Sequence, residues 1–151
     1  MSFFGDIYAG KAAMQAANYN AKIMERNAKI KEQEAEQIMS VHNNYNLPKF
    51  DRTIEQIQGQ TTVAYLSGGV TYSGTVVDAL YAQELELQTD RDIMTYNAEN
   101  ARDQKENEAI QLRADADLSR WRGKVAKKAS YYAAGQSLLN IGTSTKTAGM
   151  W

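Results

Sequence analysis

The chain has 151 residues, a formal net charge of −1 and a mean hydropathy of −0.56, which is enough length for one domain. It contains no cysteine, which excludes a disulfide framework, a thiolate metal site and a cysteine nucleophile. It has no run of about eighteen apolar residues, and its first residues lack the basic start and apolar core of a signal peptide. Neither an ordinary transmembrane helix nor a secretion signal is therefore expected.

The first predicted helix covers residues 9–42. This segment has no proline, and its one glycine, Gly10, stands at its start. Its apolar residues form a heptad-like stripe, in which Lys31 and His42 are the exceptions. The members of the stripe are Ala17, Ala21, Met24, Ala28, Ala35 and Ile38. Because alanine buries little area, this stripe would hold two helices together weakly, and we expect partner subunits to add stability.

Residues 42–48 are predicted to break the helix, because they hold three asparagines and the only proline of the chain. A second helix is predicted over residues 51–66, with Asp51 as its N-cap. The alternative for residues 61–73 is a β-hairpin, since three β-branched residues begin that stretch.

Residues 67–74 form a glycine-rich corner with three of the ten glycines of the chain. Glycine tolerates backbone angles that other residues avoid, so the corner is predicted to reverse the chain and to act as a hinge. Thr75 is the predicted N-cap of the helix that follows, with Asp78 near its positive end. The predicted hinge and turn residues are Ser67, Gly68, Gly69, Gly74, Thr75 and Asp78.

A very long helix is predicted over residues 75–140, followed by a flexible tail over residues 142–151. The whole chain, 1–151, is predicted to be a single elongated all-α domain. In it, a shorter N-terminal helical arm forms a helical hairpin with the long C-terminal helix. The hairpin is expected to work as part of an oligomeric bundle or tube.

No group of residues in the sequence has the pattern of a catalytic, metal or cofactor site. The one histidine, His42, has no serine or cysteine partner motif and is expected at the surface or as a cap. Glu99, Asp103 and Glu106 share a helix face, but no histidine is near, so an ion-paired face is the better interpretation. The glycine-rich corner lacks the lysine of a phosphate-binding loop. We therefore expect neither an enzyme nor a bound cofactor.

The charges are unevenly distributed along the chain. Residues 51–117 hold thirteen acidic and five basic side chains, a net charge of −8, whereas residues 118–151 hold six basic and no acidic ones. The start of this basic end supplies the candidate contact residues, which are Arg120, Trp121, Arg122, Lys124, Lys127, Lys128, Tyr131 and Tyr132. Three partners fit this composition: the phosphates of DNA, the headgroups of a membrane, and an acidic protein surface such as another copy.

Several motifs of the chain resemble those of the small internal virion proteins of short-tailed bacteriophages, also called internal core or DNA-ejection proteins. They are Ala-Ala-Asn-Tyr-Asn-Ala-Lys-Ile at 16–23, Tyr-Leu-Ser-Gly-Gly-Val at 65–70, Gly-Thr-Val-Val-Asp-Ala-Leu at 74–80, and Ala-Ala-Gly-Gln-Ser-Leu-Leu at 133–139. A long polar helix separates the last two. The resemblance covers residues 12–142 and departs from the family pattern at the proline-containing stretch 43–50.

The resemblance implies a structural protein that is carried inside the capsid near the portal. It implies a homo-oligomer in contact with other phage core, portal or tail proteins. On infection, such a protein leaves with or before the DNA and helps to form a conduit across the host cell envelope, where viral DNA and host membrane are its contacts. The alternative is a tail, neck or portal-associated adaptor that stays in the particle.

Overall fold

A computed structural model describes residues 3–69 and 74–147, with side chains described as far as residue 139. The regular structure of these residues is helical throughout. It consists of helix α1 (Phe3–Val41), a π-helical turn (His42–Asn46), helix α2 (Leu47–Ser67) and helix α3 (Thr75–Thr147). The prediction of an all-α chain, with a shorter N-terminal helical arm packed against one long C-terminal helix, is confirmed.

The contacts divide the chain into two compact units, where the sequence predicted a single domain. Unit 1 is Met1–Lys31 with Asn107–Trp151, and unit 2 is Glu32–Glu106. Each unit pairs part of the N-terminal arm with part of α3, and in each the two partners run antiparallel. In unit 1, for example, Lys31 pairs with Glu108 and Glu25 pairs with Arg120.

Small residues line the contact between the two helices of unit 1. Ala21 and Ala28 of α1 are fully buried, as the predicted heptad stripe requires. On α3 the residues at this contact recur every seven positions and are Ala109, Ala116, Gly123 and Ser130. A Cβ atom built on Gly123 would lie 2.6 Å from the Cβ of Ala17, so the helices approach as closely as glycine permits. We call this contact the small-residue seam.

The predicted break at residues 42–48 is wrong, because the arm stays helical there by widening into a π-turn. The N–H of Leu47 donates to the carbonyl of His42, five residues back. Proline normally clashes with the carbonyl four residues before it, and it lacks the N–H for that bond. Pro48 stands at the start of α2, directly after the wider turn, where the regular ladder is already interrupted.

His42 is buried in unit 2, and the expectation of a surface or capping histidine is wrong. Its side chain is 1% exposed, and its Nε2 lies 3.2 Å from Oγ1 of Thr95 on α3. The Thr95 hydroxyl itself donates to the carbonyl of Arg91, at 3.0 Å. Since that bond uses the hydroxyl proton, Nε2 of His42 is the donor to Thr95. His42 stands seven residues after Ala35, which itself stands seven after Ala28, so it occupies the same heptad position. Unlike the two alanines, its side chain is hydrogen-bonded.

Other local expectations for the arm also change. Asp51 does not cap a helix, because it lies inside α2 and pairs with Arg91 at 2.8 Å. The β-hairpin alternative is wrong for residues 61–67, which are helical. Hydroxyls in this stretch bond back along the helix, as at Thr61, where Oγ1 donates to the carbonyl of Ile57. Residues 70–73 lie outside the described part of the chain.

The corner contains two glycines in the left-handed region, Gly69 with φ 75° and Gly74 with φ 56°. Gly68 ends α2 with φ −74°, an angle that any residue adopts. The N–H of Gly68 donates to Ala64 and that of Gly69 to Leu66, so both bonds close the last turn of the helix. The glycine requirement predicted for the corner therefore holds at Gly69 and Gly74 and not at Gly68.

Helix α3 begins at Thr75, with Asp78 in its first turn as predicted. The N-cap position belongs to Gly74 and not to Thr75, because the carbonyl of Gly74 accepts the bond from the N–H of Asp78. The helix continues to Thr147, so the tail predicted from residue 142 is helical as far as that residue. Residues 148–151 lie outside the described part of the chain.

Candidate contact surface on helix α3

A groove on unit 1 gathers most of the basic and aromatic residues that the sequence singled out. Its volume is about 550 Å³, and α3 supplies all of its lining except one residue of α1. Trp121 is 60% exposed at the groove and presents most of its ring to the surroundings. The lining residues are Met14, Trp121, Lys124, Val125, Lys127, Lys128 and Tyr131.

The lysines of the groove are available to bind an anion. Within the described residues, no ion pair joins Lys124, Lys127 or Lys128 to an acidic side chain. The sequence provides no acidic residue after Asp117, so none lies along the same stretch of α3. The three ammonium groups can bind phosphates. The exposed aromatic rings beside them can contact the aromatic or apolar part of the same ligand.

Arg120, by contrast, is engaged inside unit 1. Its guanidinium donates to Oε1 of Glu25 on α1 and to Oδ1 of Asp117, one turn back on α3. The hydrogen bond with Glu25 is the main cause that raises the pKa of Arg120 above its ordinary value. This side chain joins the two helices and does not line the groove.

The structure thus brings together five of the eight predicted contact residues. Arg122 and Tyr132 are exposed, but they lie outside the groove, as Arg120 does. Met14 and Val125 line the groove and were not predicted. Met14 could have been found by extending the stripe of Ala21 and Ala28 seven residues toward the N-terminus, whereas no sequence signal set Val125 apart.

The acidic stretch of unit 2 is an ion-paired face, as expected. Arg102 donates to Oδ1 of Asp103 at 2.6 Å and lies 3.8 Å from Oε1 of Glu106. The hydrogen bond with Asp103 is the main cause that raises the pKa of Arg102. Among the described residues, no three acidic or histidine side chains form a group that could hold a metal ion.

No family model, curated protein or solved structure matches this chain. In the part of the chain that the structure describes, none of the helices has a stretch both long and apolar enough to cross a membrane.

Proposed function

We propose that the chain is a structural protein of a bacteriophage particle, an internal core or ejection protein. It would assemble as a homo-oligomer near the portal and help to form a conduit for viral DNA across the host cell envelope. The motifs that resemble the small internal virion proteins of short-tailed phages supply the family. The groove at Trp121 is the observation that carries the proposal, because it offers unpaired cations and an exposed ring to a phosphate-bearing partner.

The side chains of the groove favour DNA as the partner that contacts it. Lysine ammonium groups neutralise phosphates without reading sequence, as a conduit for a whole genome requires. Trp121 and Tyr131 lie beside these lysines and offer apolar contact to the deoxyribose of the backbone. Lipid headgroups also carry phosphates, so vesicles form the second arm of the test.

The DNA arm measures affinity for duplex DNA over a range of salt concentrations by fluorescence anisotropy. The test variant carries Lys124→Gln, Lys127→Gln and Lys128→Gln. The slope of log affinity against log salt should become less steep by about 0.9 for each phosphate that the variant no longer neutralises. A matched control removes three exposed cations that lie outside the groove, through Lys11→Gln, Lys49→Gln and Arg52→Gln. An equal decrease of affinity in both variants would mean that the groove has no special part in binding.

The vesicle arm measures co-sedimentation and dye release with neutral and with anionic liposomes. Binding and leakage that depend on the three lysines of the groove would support contact with the host membrane. If the chain binds neither DNA nor either kind of vesicle, the conduit proposal is wrong. The alternative of a tail, neck or portal-associated adaptor that stays in the particle would then remain.

A further inference from the structure

Unit 1 has a second apolar stripe on each of its helices, on the side away from the small-residue seam. On α1 the outer stripe recurs every seven residues and consists of Ala9, Ala16, Ile23 and Ile30. On α3 it also recurs every seven residues and consists of Leu118, Val125, Tyr132 and Leu139. Seven residues are close to two helical turns, so each set stays on one face.

The position of the outer stripes follows from their offset to the seam. Ile23 comes two residues after the buried Ala21, and Leu118 comes two residues after the buried Ala116. At about 100° per residue, two residues move a side chain to the opposite side of the helix. The exposure agrees, since Ile23 is 41% and Tyr132 is 78% exposed. The isoleucine, leucine and valine side chains of the two stripes therefore face outward, while small residues fill the seam.

The charges beside the two outer stripes are of opposite sign at Ile23 and Leu118. Farther along α3, at Val125, the border is basic and consists of Arg122, Lys124 and Lys128. Lys22, Arg26 and Lys29 flank the α1 stripe, and no ion pair joins them to an acidic side chain within the described residues. Asp115 and Asp117 flank the α3 stripe at Leu118. In the antiparallel register of unit 1, Asp117 would lie beside Lys22 and Asp115 beside Arg26, so the two borders are complementary at this place. The two stripes are thus matched in charge where Ile23 would meet Leu118.

We propose that a second copy of the chain covers these stripes, with the α1 stripe of one copy packed on the α3 stripe of the next. An antiparallel pairing in the register used inside unit 1 would set Ile23 beside Leu118, and the small Ala16 beside Val125. Such an interface joins two different surfaces and is heterologous, so copies add in one direction and form a ring or an open filament. This inference deepens the proposed function and rests on it for the requirement that the protein works as an oligomer.

The test uses two variants of the full chain, each with one blocked stripe. Ile23→Lys blocks the α1 stripe and Leu118→Lys blocks the α3 stripe. Each places a charge in an apolar contact and should weaken self-association by about a hundredfold or more. Asn20→Lys and Ala133→Lys are matched controls on exposed positions outside the stripes and should assemble as the unaltered chain does. Sedimentation velocity measures the assembly, and far-UV circular dichroism checks that each variant stays helical.

Mixing the two blocked variants identifies the type of interface. Each blocked variant alone should be a monomer, because a heterologous contact needs one intact stripe of each kind. An equimolar mixture should form a dimer and stop there, since it has one intact pair of stripes. A two-fold interface predicts instead that one blocked variant still forms a dimer by itself, and that result would overturn the proposal.

Other outcomes also decide the matter. A monomeric unaltered chain, or an oligomer that neither substitution affects, would overturn the interface. A decrease of vesicle binding with unchanged sedimentation would assign the stripes to lipid instead. If either variant unfolds, Ile30→Lys and Tyr132→Lys test the same two stripes. The failure of the interface and that of the proposed function are distinguishable, because neither Ile23 nor Leu118 lines the groove whose lysines are tested for DNA binding.

Discussion

Gly123 provides the sharpest test of the small-residue seam. A Cβ atom at this position would lie 2.6 Å from the Cβ of Ala17 and 3.3 Å from the Cα of Met14. Neither atom belongs to the far end of a flexible side chain, so the helices themselves must move apart to accept Gly123→Ala. Overpacking of this kind costs about 1–3 kcal/mol, from which a helix-propensity gain of about 1 kcal/mol is subtracted. The expected net decrease in unfolding free energy is about 0–2 kcal/mol.

Gly135→Ala is the matched control, because Gly135 lies in the same helix with no atom within 4 Å of its built Cβ. It should stabilise the chain by up to about 1 kcal/mol through helix propensity alone. Thermal unfolding followed by far-UV circular dichroism should place the Gly123→Ala midpoint below that of the unaltered chain by up to about 8 °C. A midpoint raised as much as in Gly135→Ala would show that the helices are not in close contact at Gly123.

Two further pairs of substitutions test the corner and the buried histidine. Gly69→Ala should cost about 1–2 kcal/mol, because φ 75° is unfavourable for alanine, whereas Gly68→Ala, at φ −74°, should be nearly neutral. Urea denaturation measures both, and equal effects would contradict the assigned turn geometry. His42→Ala and Thr95→Val should be coupled in a double-mutant cycle by about 1 kcal/mol, the usual strength of a neutral hydrogen bond. Additive effects would contradict the bond between their side chains.

The sequence predicted the helical arm and the long helix because these depend on local preference and period. The recurrence of Ala21, Ala28 and Ala35 every seven residues defines one face of α1, and all three are buried. Gly69 and Gly74 mark the corner because a positive φ has a strong local residue preference. Features of this kind are encoded within a few residues of where they occur.

The π-turn could not be predicted in the same way, because local preference and packing oppose each other there. The asparagines and Pro48 favour a break, yet burial of His42 against Thr95 keeps the chain helical up to this point. The extra residue in the turn then changes which face of the helix meets α3. Tyr45, which a regular heptad would place after His42 at the contact, is 61% exposed, whereas Ile54 and Ile57 are partly covered. Only the packed pair of helices reveals this shift.

The outer stripes were missed because a search for one apolar face per helix stops when it finds the seam. The side chains of the seam and those of the outer stripes nevertheless differ in the free energy that each can contribute on burial. A buried methyl group stabilises by about 0.8 kcal/mol, whereas a fully buried isoleucine or leucine side chain contributes about 1.5–3 kcal/mol. The alanines of the seam therefore bring the helices close together without stabilising the pair strongly.

Ile23 and Leu118 could contribute more free energy on burial than the alanines do, but both side chains are exposed on the outer surface of unit 1. A chain selected to be a stable monomer would place such side chains in the seam and polar ones outside. In the proposed assembly, covering the outer stripes would add burial of large apolar side chains, so folding and assembly would be linked. If neighbouring copies supply part of the stability of the hairpin, as proposed, the assembly can be taken apart and reassembled, which the proposed role in DNA ejection requires.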